Sequence, residues 1–341
     1  MIVQFVYPTT GNVTGGETVL YELARALSRA GCTVNFLHGP AWPNRIDSLD
    51  RLPSAAVGDG VRHVLFDGLD DPALPSGDVI FNSSAPRRLG LPATIIQGYR
   101  MLSEEWERDA FRSPGPKICV ASWLQDVGET YGVPRHQLLH VPPGLDHGRF
   151  RQSSPLEDRS IDVTVLHHPH REKDWPTAQA MLAELRVRRP DARLVTFGRM
   201  LDDRIPDGVE IVDSPDHRRL AEEIYADTRV FVQASRNEGF GLTPVEAMAC
   251  GTALVSTDCG GSRDYAIPGV TADVVAAGDA AALADAVDRL LDDEERRLRY
   301  AAAGLAHALT FDWDRSGRRL SEILAAYVAD PAPFLEPPAD P

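Results

Sequence analysis

Lysine is almost absent from this 341-residue chain: only Lys117 and Lys173 carry an ammonium group, and arginine supplies the other cations. Positive charge is scarce altogether, with 35 Lys and Arg against 50 Asp and Glu and a formal net charge of −15. A surplus of that sign repels a phosphate backbone, which excludes nucleic acid as a partner. Cysteine is also rare. Cys32, Cys119, Cys250 and Cys259 form no C-x-x-C pair and have no histidine nearby at metal-ligand spacing, so neither a disulfide framework nor a zinc site is indicated. No apolar run reaches transmembrane length. The first residues, Met1-Ile2-Val3-Gln4-Phe5-Val6-Tyr7, read as a strand and lack both a cationic leader region and a small-residue cleavage site. A reducing, cytoplasmic location without integral membrane association is the expectation.

What is there is globular: 43% hydrophobic and 25% charged residues, with a mean hydropathy of −0.22. The length suits two domains of roughly 150 residues. Divided at residue 150, the chain has 13 Lys and Arg against 16 Asp and Glu before it (net −3) and 22 against 34 after it (net −12). Arg87, Arg88 and Arg100 make a small basic group in the first part. It falls short of the roughly four to eight cations of a lipid-binding patch and reads as ordinary solvated charge.

Short β-branched runs alternate with helical patterns, the signature of βαβ units and parallel sheets. The pattern predicts strands over 2–7, 33–37, 79–81, 94–96 and 117–121, with helices over 17–30 (ending at Gly31) and 122–131 (capped by Ser122 and followed by Gly132). Val141-Pro142-Pro143-Gly144-Leu145-Asp146 and the polar stretch to Ser160 have linker composition. Strands over 161–166, 193–197, 209–212, 230–232 and 253–256 then alternate with helices over 176–188 and 216–227, and helices over 280–291, 294–309 and 315–328 close the pattern. From Asp330 the tail is too proline-rich for regular structure to be expected. The fold class predicted is α/β, two Rossmann-like domains with a cleft between them.

The most informative stretch is Asn237-Glu238-Gly239-Phe240-Gly241-Leu242-Thr243-Pro244-Val245-Glu246-Ala247-Met248-Ala249-Cys250-Gly251. Two carboxylates flank a glycine-rich turn that opens a helix, and such a turn directs unpaired N–H groups at an anion. A pyrophosphate with hydroxyl-bearing groups on either side fits that combination. Glu246 also has a purely local reading, since Thr243-Pro244-Val245-Glu246 matches a capping box with Thr243 as N-cap. Glu238 follows the apolar run 230–232, at the carboxyl edge where open α/β sheets bind ligands.

Tyr7-Pro8-Thr9-Thr10-Gly11-Asn12-Val13-Thr14-Gly15-Gly16-Glu17 joins the first strand to the first helix without the spacing of G-x-G-x-x-G or of a P-loop. A flexible loop and a phosphate contact through the paired glycines are both open. Lys173 follows strand 161–166 in His167-His168-Pro169-His170-Arg171-Glu172-Lys173. A lysine in an arginine-rich chain suggests a site that wants a compact point charge. Pro169 interrupts the three histidines, which argues against a metal site.

Together these segments resemble the retaining glycosyltransferases of family 4, with the GT-B fold of the glycogen synthase and sucrose synthase-like superfamily. The resemblance spans nearly the whole chain: Gly15-Gly16, Ala121-Ser122-Trp123-Leu124, Pro143-Gly144-Leu145-Asp146 with Phe150, and Glu238-x7-Glu246 continuing to Gly260-Gly261. The arginine- and alanine-rich composition is similar to that of actinomycete proteins, among them antibiotic-pathway members of the avilamycin type. The resemblance implies two Rossmann-like domains facing each other across a cleft, with 1–147 binding the acceptor and 148–312 the nucleotide-sugar donor. Residues 313–341 would form a C-terminal helix and Pro-rich tail packing back toward the N-terminal domain.

It also implies roles. Glu246 would accept from ribose hydroxyls and Glu238 from the donor sugar. The N–H groups of Phe240, Gly241 and Leu242, with Thr243, Gly15 and Gly16, would complete the donor site around the pyrophosphate. Lys173 matches the family's phosphate lysine. The family's arginine five residues earlier is His168 here, with Arg171 as a possible substitute. Gln97 stands where the N-terminal domain usually has a histidine, in an acceptor cleft that would include Tyr99 and Ser122. No metal and no cofactor is expected, since N–H dipoles and Lys173 would stabilise the leaving group of a nucleotide-diphosphate sugar, a UDP-sugar first of all. Asp312-Trp313-Asp314 matches D-x-D of metal-dependent enzymes but reads as a helix cap. Lys117, in a strand, is a poor Schiff-base lysine for pyridoxal phosphate. The function implied is sugar transfer to a small-molecule or oligosaccharide acceptor. A nucleotide-sugar epimerase and an inactive nucleotide-binding module are the alternatives.

Overall fold

Apolar β-branched strands covered on both faces are the interior of parallel sheets, and amphipathic crossover helices cover them. The computed structural model of the chain describes residues 1–7, 14–39, 46, 48–52, 58, 60–100, 103–198 and 205–338. It divides into two compact units, Met1–Gly144 with Asp312–Pro341, and Leu145–Phe311.

In the first unit, β1 (Ile2–Tyr7), α1 (Gly15–Arg29), β2 (Thr33–His38), β3 (Val61–Leu65), β4 (Val79–Phe81) and β5 (Leu91–Pro92) build a parallel sheet of order β3-β2-β1-β4-β5. The Ala93 N–H donates to the Ile80 carbonyl at 2.9 Å. The chain then enters a second parallel sheet of β6 (Thr94–Ile96), β7 (Lys117–Cys119) and β8 (Leu138–His140), with α2 (Glu104–Arg112) and α3 (Trp123–Thr130) between its strands.

The second unit contains β9 (Ile161–His167), α4 (Trp175–Arg188), β10 (Leu194–Gly198), β11 (Glu210–Asp213), α5 (His217–Arg219), β12 (Thr228–Gln233) and α6 (Leu242–Ala249). It continues through β13 (Ala253–Thr257), β14 (Ala272–Val275), α7 (Ala280–Asp292) and α8 (Glu294–Ala308). Its six strands are parallel in the order β11-β10-β9-β12-β13-β14. Val163, Val165, Val230 and Val232 fill its centre, and α4 sets Met181, Leu182 and Leu185 into the same core as Leu283, Val287 and Leu290 of α7. Each such side chain stabilises the fold by roughly 1.5–3 kcal/mol. The strand order reverses between β9 and β12, so their two C-terminal loops diverge and leave a crevice.

α9 (Trp313–Ala329) returns to the first unit and packs on α1, burying Leu320, Leu324 and Tyr327. Asp312 caps it by accepting the Arg315 N–H at 2.8 Å, and Asp314 pairs with Arg29 at 2.5 Å, so the D-x-D pattern is absorbed by the helix start.

Several local expectations are corrected. The Pro-rich tail contains a one-turn helix, α10 (Ala332–Leu335), docked by Gln137 Nε2 donating to the Pro333 and Glu336 carbonyls at 3.0 and 3.1 Å. Tertiary partners hold what proline content argued against. The helix expected over 216–227 is broken into α5, a π turn (Leu220–Ile224) and a 3-10 turn (Tyr225–Asp227). Ser122 stands before α3 with helical backbone angles and makes no capping bond. Strands β3, β5, β8 and β14 were not evident as periodic runs.

The stretch that reads as a polar linker is an anchor. Arg159 is 2% exposed, and its guanidinium donates to the carbonyls of Tyr225, Thr228 and Cys250 at 3.2, 2.7 and 2.5 Å and to Thr252 Oγ1 at 3.2 Å. Burial lowers its pKa to about 10, which leaves it charged at neutral pH beside the C-terminal carbonyls of α6. Arg159→Ala is expected to destabilise the protein by roughly 3–5 kcal/mol through orphaned acceptors and a cavity. Arg159→Lys should recover little of this, because an ammonium lacks the planar fork. Urea unfolding of the three proteins checks both statements.

Candidate functional site

Two ion pairs join the loops that follow β9 and β12. β9 ends at His167, and the 3-10 turn Arg171–Lys173 follows it before α4. β12 ends at Gln233, and its loop brings Glu238 back beside the start of β13's own loop through the Glu238 N–H, which donates to the Cys259 carbonyl at 2.9 Å. Lys173 Nζ donates to both oxygens of Glu238, at 2.7 and 3.0 Å. Glu238 is 5% exposed, and Oε1 also accepts from Ser235 Oγ at 2.7 Å and Gln233 Nε2 at 3.0 Å. One buried carboxylate is thus matched by one cation and two neutral donors.

Behind this pair the backbone is sharply bent. Asp174, next after Lys173, has φ 48° and ψ 52°, a left-handed conformation that disfavours an L-residue by roughly 1–2 kcal/mol. Its buried carboxylate accepts from Thr177 Oγ1 at 2.7 Å and pairs with Arg236 Nε at 2.8 Å. The Arg236 N–H donates to the Glu172 carbonyl at 2.8 Å.

α6 begins on Gly241, whose φ of 95° suits glycine, and a Cβ there would lie 2.6 Å from the Tyr265 hydroxyl. Phe240 is buried edge-on against Tyr265 and Phe311, at ring distances of 5.6 and 5.2 Å. The N–H groups of Leu242 and Thr243 open the helix and have no intrahelical acceptor. The alternative local reading, a capping box at Thr243, does not form: the N-cap is Gly241, without a side-chain cap, and Glu246 lies in the second turn. Its carboxylate instead accepts from the Tyr225 hydroxyl at 3.4 Å. Burial lifts the Glu246 carboxyl to about 7, against the smaller lowering effects of Tyr225 and Arg149.

His168 is partly buried, and its Nδ1 accepts the His170 N–H at 3.0 Å. Burial first, then the charges of Lys173 and His170, hold its pKa below the ordinary imidazole range, so it is neutral at pH 7. Arg171 is exposed at the start of the 3-10 turn. His167 is buried at the end of β9, edge-on to Trp175 at 4.3 Å. Among the described residues no group of three His, Cys, Asp or Glu side chains is arranged to hold a metal ion.

In the first unit, residues 8–13 of the glycine-containing loop lie outside the described residues. Gly15 and Gly16 are the first two residues of α1, behind a capping box in which Thr14 Oγ1 accepts the Glu17 N–H at 3.2 Å and Glu17 Oε2 accepts the Thr14 N–H at 2.9 Å. That box was legible as Thr14-x-x-Glu17 and was missed beside the glycines. A Cβ on Gly16 would lie 2.7 Å from Gln97 Oε1, so the structure brings together two residues singled out for different reasons. Tyr99 meets Trp123 and Tyr131 edge-on at 6.1 and 6.3 Å, and the Arg100 guanidinium lies 5.4 Å over the Tyr99 ring. Arg88 donates to the carbonyls of Leu69 and Asp71 at 3.0 and 2.7 Å, so the expected basic group is partly structural. Lys117 is buried in β7, donating to the Gly115 carbonyl, and burial lowers its pKa to about 8.

The partners of these groups were beyond sequence reasoning. Gln233 and Ser235 around Glu238, Tyr225 at Glu246 and Tyr265 under Gly241 carry no motif.

Comparison with known proteins identifies the family and the fold. The family described as "Glycosyl transferases group 1" matches residues 148–307. The D-inositol 3-phosphate glycosyltransferase of Stackebrandtia nassauensis is 36% identical, the alignment covering 94% of this chain and 88% of that protein. The GDP-mannose-dependent alpha-(1-6)-phosphatidylinositol monomannoside mannosyltransferase of Mycolicibacterium smegmatis is 30% identical over 56% of this chain and 57% of that one. Anabaena HepE, solved in complex with UDP-glucose, superposes with a TM-score of 0.73 at 15% identity, covering 96% of this chain and all (100%) of that one, which shows a shared fold. The fold is that of the GT-B enzymes, and the chain belongs to the group 1 glycosyltransferases.

Proposed function

We propose that the protein is a retaining, metal-independent glycosyltransferase of the cytoplasm. It would move a sugar from a nucleoside diphosphate sugar to a hydroxyl of a small-molecule or oligosaccharide acceptor, of the kind glycosylated in antibiotic pathways. The observation that carries the reading is the Lys173–Glu238 pair at the strand-order reversal, beside the N-terminus of α6 and with Glu246 on that helix. A nucleotide sugar needs these functions together: an anion site for the pyrophosphate, acceptors for ribose and sugar hydroxyls, and a cation where negative charge grows. The names of the relatives support both a nucleotide donor and an inositol-type or glycolipid acceptor in the family. For this chain a UDP-sugar is the first donor and a GDP-sugar the second.

In the proposed reaction the bond between the anomeric carbon and the β-phosphate oxygen breaks, and its electron pair goes to the phosphate. The acceptor oxygen bonds to the anomeric carbon on the same face while its proton passes to a phosphate oxygen. Lys173 turns from Glu238 toward the leaving group, and the α6 N–H groups stabilise the same charge; Glu238 is released to accept from sugar hydroxyls. His168, neutral at pH 7, contributes a hydrogen bond and no charge. Gly16 serves the phosphates, and Gln97, Tyr99 and Ser122 the acceptor.

A thermal-shift screen with UDP, GDP, ADP and dTDP identifies the base, since a nucleotide at a hundredfold its Kd adds about 2.7 kcal/mol. No shift with any of them would contradict the nucleotide site. With the matching nucleotide sugar, Lys173→Ala is expected to lower kcat by roughly a hundredfold or more. An unchanged kcat removes Lys173 from the chemistry. Donor incubated alone distinguishes transfer from epimerisation, which would convert the donor without an acceptor.

The carboxylate form of Glu246 is the one that accepts ribose hydroxyls, and its pKa of about 7 places the change within an accessible range. UDP-glucose, whose phosphates do not titrate there, should bind roughly tenfold more tightly at pH 8 than at pH 6, and Glu246→Gln should flatten that dependence. Calorimetry at the two pH values decides. The linkage has the opposite sign without ligand: a carboxyl raised by burial favours the folded state below the ordinary carboxylate range and loses that advantage as pH rises through about 7. The unliganded midpoint should therefore fall further between pH 6 and pH 8 in wild type than in Glu246→Gln.

A further inference from the structure

Two charge pairs join the same two segments, with their polarity reversed. Lys173 Nζ is 2.7 Å from Glu238, and one residue on, Asp174 Oδ2 is 2.8 Å from Arg236 Nε. The Glu172 carbonyl of the same turn accepts the N–H groups of Arg236 and Asn237 at 2.8 and 3.4 Å. The proposed reaction uses Lys173 and Glu238 and has no task for Asp174 or Arg236. Yet Asp174 occupies a left-handed corner without being glycine, is 3% exposed, and turns its carboxylate away from the N–H groups of α4 to meet Thr177 and Arg236. Strain of this kind persists where the surroundings over-determine it.

We infer that Asp174 and Arg236 are positioning residues: their ion pair holds the 3-10 turn against the β12 loop, so that the Lys173 ammonium stays in place when it exchanges Glu238 for the leaving phosphate. The inference rests on the reading of Lys173 given above. The physical reason is the transfer itself. While Lys173 remains on Glu238, two pairs tie the segments together. When a donor takes both groups, the tie through their side chains is lost, and Asp174–Arg236, with the Arg236 and Asn237 N–H bonds to the Glu172 carbonyl, still sets the distance between the ammonium and the loop. The Asp174 carboxylate is buried and the Arg236 side chain is half exposed, so the pair is screened less than one in which both groups face water.

The scarcity of lysine makes the test direct. Full-length protein labelled with carbon-13 only in lysine gives two Cε signals, from Lys117 and Lys173, assigned with Lys173→Arg. In wild type the Lys173 signal should stand away from the free-lysine position. Arg236→Ala should move it toward that position while Lys117 stays unchanged, in spectra taken well below a thermal midpoint that falls because the buried Asp174 carboxylate loses its cation. Asp174→Gly, which keeps the left-handed corner without strain and removes only the carboxylate, should do the same, and Asp174→Asn should fall between. A Lys173 signal that stays put in both Arg236→Ala and Asp174→Gly overturns the inference.

Kinetics with UDP-glucose as the first donor give an independent reading. Arg236→Ala should lower kcat about tenfold with donor KM held within about twofold, and should have no further effect in a Lys173→Ala background. Additive losses overturn the inference. If Lys173→Ala itself turns over at the wild-type rate, the chemical role of Lys173 fails, and the lysine spectra still decide whether Asp174 and Arg236 place it.

Discussion

A carboxylate taken almost wholly out of water has to be matched, and Glu238 is the group on which the second unit depends. Lys173 reaches it from 65 positions away, and Gln233 and Ser235 from the end of its own strand and loop. That demand explains why the loop after β9 ends in a lysine and why the loop after β12 doubles back toward β13. The reversal of strand order between β9 and β12 makes the crevice, and parallel strands point both loops to the same edge. Beside it, Gly241 lets the chain turn into α6 over the Tyr265 hydroxyl, so the helix starts where its N–H groups face the charged pair's edge of the sheet.

Glu246 shows the same physics with a different outcome. Its carboxyl has one weak donor, Tyr225, and burial dominates, lifting it toward neutrality. Two glutamates eight positions apart in one motif therefore differ in their surroundings: Glu238 meets a cation and two neutral donors, and Glu246 meets one weak donor and is left able to donate or accept. Arg159 inverts the problem, a buried cation matched by carbonyls and a hydroxyl instead of a carboxylate. It ties the strand that carries Glu238 and the helix that carries Glu246 to the segment opening the unit.

Much of this was legible. The β9 and β12 runs, the glycine turn before α6 and the Lys173 loop could be placed at strand ends, because β-branched periodicity and glycine conformational freedom act over a few residues. The errors were of another kind. Arg159 lay in a stretch whose composition reads as linker, and its partners are 66 to 93 positions away. The alternative cap at Thr243 fitted a local pattern, and the left-handed Gly241 displaces it. A break at Leu220–Ile224 passed unseen, since a π turn differs from an α turn by one residue.

The sequence by itself determined the alternation of strands and helices, the parallel α/β class and the two acids flanking a glycine-rich turn that opens a helix. Periodicity, turn chemistry and capping are short-range, so they survive without knowledge of the fold. Only the tertiary structure decided who pairs with whom: Lys173 with Glu238, Asp174 with Arg236, Tyr225 with Glu246 and Gly16 with Gln97. Those pairings follow from strand order and register, which depend on burial summed over the whole sheet and leave no mark in any one segment.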